Sequence, residues 1–245
     1  MIELTVALPI WNSKRIAWLP LEGLCNQRNI DFEWELLIAE EQIHEFGIEE
    51  IKKYSERLKQ VGCVSLKYIP LDYRIPLAQK WRLLSNNASI KSKMFLLLSA
   101  DSYPEDLRLR RTLDNSDCDW LQNRAVCLYS LHYKKIIEFD QRTFGNGCKV
   151  GANMAIKTSL IKNLPISFET SGLDNWLFKK ANPQKIKWIE EDIMSGVDTD
   201  GLNNISFARR MNFNDIKPPF KATTKTLKDL VPEYIEVLLK NTLPR

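Results

Sequence analysis

Histidine is scarce in this chain: of 245 residues only His44 and His132 carry an imidazole. A Ser-His-Asp or Cys-His catalytic arrangement therefore has few places to sit, which leaves carboxylates as the more available chemical groups. The five cysteines (Cys25, Cys63, Cys118, Cys127 and Cys148) are odd in number, widely spaced and free of any CxxC pair. This argues against a disulfide framework and against a thiolate zinc site, and fits reduced thiols. No apolar run approaches the roughly 20 residues that span a bilayer. The amino terminus, MIELTVALPIW, lacks the basic-then-apolar order of a signal peptide. A soluble, cytoplasmic protein without stable membrane insertion is expected. There is also no internal repeat, low-complexity segment or linker.

What is present is ordinary globular composition, 44% hydrophobic and 27% charged residues, enough to bury a sizeable core. The net charge of +4 is small. Its basic clusters (Arg108, Arg110 and Arg111; Lys134 and Lys135; Lys179 and Lys180; Arg209 and Arg210) are scattered and read as solvated faces, with an anionic acceptor surface as the alternative.

Apolar runs suited to buried strands occupy 4–10 (LTVALPI), 33–41 (EWELLIAEE), 64–72 (VSLKYIPLD) and 93–101 (KMFLLLSAD). Between them lie helical patterns: 14–29, interrupted by Pro20 and Gly23; 43–60, with apolar positions at near-helical spacing; and 77–88, whose face is Leu77, Trp81, Leu84 and Ala88. Strand and helix in alternation imply parallel βαβ units with right-handed crossovers. All four strands finish near a polar residue: Asn12, Glu40, Asp72 and Asp101. The carboxyl ends of parallel strands line the crevice where open α/β sheets bind ligands, so Asp101 is expected to point into a site. The competing role is a cap, Asp101 or Ser102, for a helix starting at Pro104, Glu105 and Asp106. Further on, 118–130 reads as a strand, 149–161 as a strand entering a helix, 172–181 as a helix and 185–193 as a last strand. The polar loop 197–206 (VDTDGLNNIS) follows, and the tail 223–239 reads as helical around Pro232.

The order of these motifs resembles the GT-A glycosyltransferases of the inverting, family-2 kind, over about residues 3–200. The resemblance is carried by VALPIWN (6–12), ELLIAEE (35–41), FLLLSADSYP (95–104), VGANMAIKTSLI (150–161) and GLDNWL (172–177). It implies a GT-A, Rossmann-like α/β domain with a mostly parallel central sheet over 1–205, and a helical C-terminal extension over 206–245 packed on it. It further implies that Pro9, Trp11 and Asn12 border the nucleotide base, that Glu40 accepts from base or ribose, and that Asp72 sits near the base edge. Lys80 would approach the diphosphate. Ala100 and Asp101 occupy the Asp-x-Asp segment, where Asp101 would bind a metal ion. The chain departs from the pattern in having Ser99 in place of the first Asp and Leu173 in place of the Glu before Asp174. No histidine follows position 132, so Asp198 or Asp200 would replace a late histidine ligand. Bland roles compete throughout: Trp11 as core aromatic, Glu40 or Asp174 as a helix cap, Lys80 as solvated surface.

The implied reaction moves a sugar from a nucleoside-diphosphate sugar, a UDP-sugar first among them, to an acceptor hydroxyl with inversion. Charge builds on the leaving diphosphate, and Mn²⁺ or Mg²⁺ held by Asp101 and Asp198 would offset it. Asp174 at a helix start is the candidate general base. The acceptor is open among glycan, lipid-linked glycan, protein and nucleic acid. Two rivals stand beside this: a degenerate GT-A domain that binds a nucleotide sugar or a partner without transfer, and a sugar nucleotidyltransferase. The latter wants a glycine-rich phosphate loop after the first strand, and PIWNSKR (9–15) has no glycine. An EF-hand reading of VDTDG fails on the order of its ligands.

Overall fold

The computed structural model describes residues 1–11, 13–41, 46–141, 153–162, 173–197, 216 and 220–242. Strands β1 (Ile2–Ile10), β2 (Glu33–Glu41), β3 (Cys63–Leu71) and β4 (Met94–Leu97) lie in the order β3-β2-β1-β4 and are all parallel. The crossovers carry α1 (Trp18–Cys25), α2 (Ile48–Lys52), α3 (Ser55–Gln60) and α4 (Leu77–Asn87). Their continuous apolar runs follow from burial on both faces of a parallel sheet. The pleat sends Leu4, Val6, Leu8, Leu36 and Ile38 to one side, where they meet α1, α3 and Leu109. Ala7, Leu37, Ala39, Phe95 and Leu97 go to the other side and meet Ala78, Trp81 and Leu84 of α4.

Past Asp101 the structure differs from the expected helix start. A two-residue strand β5 (Ser102–Tyr103) comes first, and helix α5 (Arg108–Asp114) begins only after Leu107. Neither Asp101 nor Ser102 is therefore positioned to cap α5. The sheet continues through β6 (Trp120–Ser130), β7 (Ile136–Asp140) and β8 (Met154–Lys157). Next in the chain come α6 (Thr158–Ile161), α7 (Leu173–Ala181), β9 (Ile186–Val197), β10 (Phe220–Ala222) and α8 (Glu233–Asn241). Strand β8 runs antiparallel beside β4, while β6 pairs with β7, β8 and β9. Strand β9 also pairs with β5. Within 206–245, α8 is helical as expected, whereas Phe220–Ala222 is a strand at the sheet edge, paired antiparallel with β7. Leu227, Val231, Ile235 and Leu239 from this segment cluster with Ile16, Leu19, Tyr103 and Tyr129. No helix of the described residues is long and apolar enough to cross a membrane.

Two details correct the helical expectations. The span expected as one helix over 43–60 is split, because Lys53 and Tyr54 each donate to the carbonyl three residues back and tighten the chain between α2 and α3. Pro20 does not interrupt α1, since it sits in the first turn, where backbone N–H groups have no helical partner. Gly23 is there for space: a Cβ at this position would lie 2.5 Å from Pro104 Cδ, and this close approach brings α1 against the segment after Asp101.

Gly62 sets the entry to β3. Its φ is +83°, and an added Cβ would meet the Phe32 carbonyl oxygen at 2.8 Å. Gly62→Ala is expected to destabilise the protein by about 1–3 kcal/mol, read as a lower urea midpoint with unchanged slope; an unchanged midpoint would contradict the assigned backbone conformation.

Candidate functional site

The carboxyl ends of β1, β2, β3 and β4 converge on one rim. At the end of β2 the adjacent acids Glu40 and Glu41 alternate to opposite faces of the sheet, as the pleat requires. Glu40 is fully buried. Its Oε1 accepts from the Phe46 amide at 2.7 Å, and its Oε2 accepts from the Gly47 amide at 3.0 Å and the Tyr68 hydroxyl at 3.1 Å. The side chain thus braces the approach to α2, and both of its oxygens are engaged by the protein itself.

Glu41 faces α4, where it forms an ion pair with Lys80; the two side chains are 3% and 2% exposed. The Lys80 ammonium also donates to the Ile10 carbonyl at 2.8 Å. Burial pushes the Lys80 pKa down, and the hydrogen bond and charge of Glu41 oppose that. Lys80 therefore ties α4 to the ends of β1 and β2, with its charge matched inside the protein. The expected reach towards a diphosphate is not the geometry seen, because the ammonium faces inward.

Trp11, just past β1, is half-buried, and the Arg74 guanidinium lies over its ring, 4.0 Å from the centroid. Pro9 is half-buried beside it in β1, and Asp72 is exposed at the end of β3. Asn12 lies outside the described residues.

At the end of β4, Ala100 is buried and Asp101 is half-buried. The Ser99 hydroxyl donates to Asp101 Oδ1, and the Ser102 hydroxyl approaches the same oxygen at 3.4 Å. The Ser99 amide donates to Asn153 Oδ1 at 3.1 Å. Asn153 is fully buried with φ +55°, a left-handed conformation that asparagine tolerates better than most residues. Behind it the wholly buried Arg108 donates to the Asn153 carbonyl and to Asn123 Oδ1. Burial also lowers the Arg108 pKa. The turn that presents Asp101 is thus held by a buried polar chain from α5, β6 and the start of β8.

Asp174 is half-buried in the first turn of α7. Leu173 and Leu177 of that helix join the cluster containing Leu97 and Met154, so α7 packs on the side of β4 that faces α4. Asp198 and Asp200 lie outside the described residues. Among the described residues no three His, Cys, Asp or Glu side chains gather into a metal centre. The donor set at Asp101, one carboxylate beside hydroxyls, fits a hard oxygen-liganded cation that takes few protein ligands and fills its other positions from phosphate and water.

Solved structures share this architecture. Staphylococcus aureus TarS 1-349 in complex with UDP-GlcNAc matches with a TM-score of 0.61 and 16% identity, over 80% of this chain and 59% of that one. The complex of TarS 1-349 with UDP gives 0.60 and 17%, over 81% and 62%. The chain has a GT-A fold. HddC from Yersinia pseudotuberculosis also matches, with a TM-score of 0.52 and 11% identity, over 80% of this chain and 93% of that one. The chain spans 37–62% of the length of the TarS structures it matches. No protein-family model matches, and no curated protein does.

Within this GT-A frame, three features escaped the sequence reading. Arg108, expected with Arg110 and Arg111 on a solvated face, is instead the buried anchor of the Asp101 turn. The signal available was its helical register with Leu109 and Thr112, which are also buried. The Lys80–Glu41 pair joins residues 39 apart in sequence, and the Arg74–Trp11 stack joins two turns; neither has a local signature.

Proposed function

We propose that this chain is a glycosyltransferase that takes a nucleoside-diphosphate sugar, a UDP-sugar first among candidates, and transfers the sugar to an acceptor hydroxyl with inversion. The observation that carries this reading is the Asp101 turn at the end of β4, fixed by Asn153 and Arg108, in a fold that holds UDP and UDP-GlcNAc in TarS.

In this reading Pro9, Trp11, Asn12 and Asp72 border the base, and Ala100 keeps the backbone close to the sugar nucleotide. Glu40 and Lys80 act by position: one braces the approach to α2, and the other pins the ends of β1 and β2 that shape the base pocket. Asp101 and Asp198 would hold Mn²⁺ or Mg²⁺, which when bound offsets the charge on the departing diphosphate. Asp174 accepts the proton of the acceptor hydroxyl as its oxygen bonds to the anomeric carbon from the face opposite the diphosphate. The bond from that carbon to the diphosphate oxygen breaks with its electron pair on the diphosphate, and the anomeric centre inverts. The acceptor is a hydroxyl on a glycan, a lipid-linked glycan or a nucleic acid.

Asp101→Ala tests the donor site. It is expected to abolish the gain in UDP affinity that Mn²⁺ gives, measured by calorimetry with metal and with chelator; affinity that still responds to Mn²⁺ in the variant would remove Asp101 from the metal site. Incubating the wild-type protein with UDP-sugars and mixed acceptors separates transfer from binding, since a protein that binds donor without releasing UDP is a binding domain.

A further inference from the structure

We infer that Arg74, not Lys80, is the cation that meets the donor diphosphate, and that it waits on Trp11 until the donor arrives. The inference rests on the donor reading above and assigns a binding residue within it. A diphosphate brings two to three negative charges to the rim, and a site for it needs a cation able to reach outward. Lys80 does not meet that need. Its ammonium is committed to Glu41 and the Ile10 carbonyl and is 2% exposed. The charge of the pair cancels internally.

Arg74 sits on the short stretch between β3 and α4, at the same rim, and is exposed. Among the described residues it forms no hydrogen bond and no ion pair; its one specific contact is the Trp11 ring. It is close enough to Lys80 for its charge to disfavour the ammonium there. Two further features point the same way. Helix α4, which starts three residues later, has no acidic residue in its first turn, so its positive end is not opposed locally. A guanidinium also presents a planar fork that matches two phosphate oxygens at once. An exposed cation on an aromatic face is weakly held compared with a charge-assisted phosphate pair. The stack is thus a resting place from which Arg74 can leave, exposing the Trp11 face to the base as its fork closes on the phosphates.

The test compares UDP with uridine, which keeps the base and ribose and lacks the phosphates. Arg74→Ala is exposed and expected to fold normally, which circular dichroism checks. It should weaken UDP binding by about 10- to 150-fold and leave uridine binding within about twofold. Arg74→Lys keeps the charge without the fork and should fall between. Raising the salt concentration should weaken UDP binding less in Arg74→Ala than in the wild type. Unchanged UDP affinity in Arg74→Ala overturns the inference, and so does an equal loss for UDP and uridine, which would make Arg74 a wall of the base pocket. Failure of the wild-type protein to bind either compound is a different result: it refutes the donor reading itself.

Discussion

Asp174→Asn is expected to lower transfer by about 10²–10⁴-fold while donor affinity stays at the wild-type level. The substitution suits the position. Asparagine is close to isosteric with aspartate and gives up only the charge that favours the first turn, worth about 0.3–1 kcal/mol, so α7 should keep its packing through Leu173 and Leu177. What asparagine cannot do is accept a proton from the attacking hydroxyl. The loss should therefore fall on kcat, with the dissociation constant for UDP-sugar unchanged. Near-normal transfer by the variant would remove Asp174 as base and leave it as a structural residue of α7. A parallel loss of donor binding would place it on the donor side of the site.

Lys80→Met is expected to cost about 3–5 kcal/mol of stability. Lys80 and Glu41 are both almost wholly buried, and one Glu41 oxygen already lacks a hydrogen-bond partner among the described residues. Removing the ammonium strands a carboxylate where water does not reach it, and deprives the Ile10 carbonyl of its donor. The double variant Lys80→Met with Glu41→Met removes the stranded charge and should recover most of the loss, because the penalty lies in breaking the pair and not in lacking it. Urea titrations of the four proteins close the cycle. A single variant within 1 kcal/mol of wild type would mean that the pair is hydrated and not buried.

The parallel half of the sheet was legible because burial on both faces leaves a plain mark. The stretches 6–10, 36–39 and 94–98 are wholly apolar, and the rim lies at their carboxyl ends. The remainder was illegible for reasons that differ by element. Strand β5 is two residues long and β10 three, too short for any period to register. The helix expected at Pro104 starts later because Ser102 and Tyr103 are recruited by pairing with β9, more than 90 residues on. Residue roles at the rim were blurred by the same long range. Nothing local tells Glu40 from Glu41, yet the pleat gives one to the loop before α2 and the other to Lys80. Arg108 looked like its neighbours Arg110 and Arg111 because the partners that bury it, Asn123 and Asn153, lie in β6 and beside β8. In the GT-A frame Asp101 is legible from its place at a strand end, whereas Arg74 carries no motif and is distinguished only by its contact with Trp11.

Binding of a nucleotide sugar at this rim is the property on which every role above depends. Thermal unfolding with UDP, UDP-GlcNAc and a panel of other nucleoside diphosphates, each with Mn²⁺, with Mg²⁺ and with chelator, tests this most directly. A ligand at 100 times its dissociation constant adds about 2.7 kcal/mol to the folded state, a rise of several degrees in Tm for a chain of this length. A uridine nucleotide is expected to give that rise, larger with the metal than with chelator. A Tm that no nucleotide moves under any of the three conditions would contradict binding at this rim.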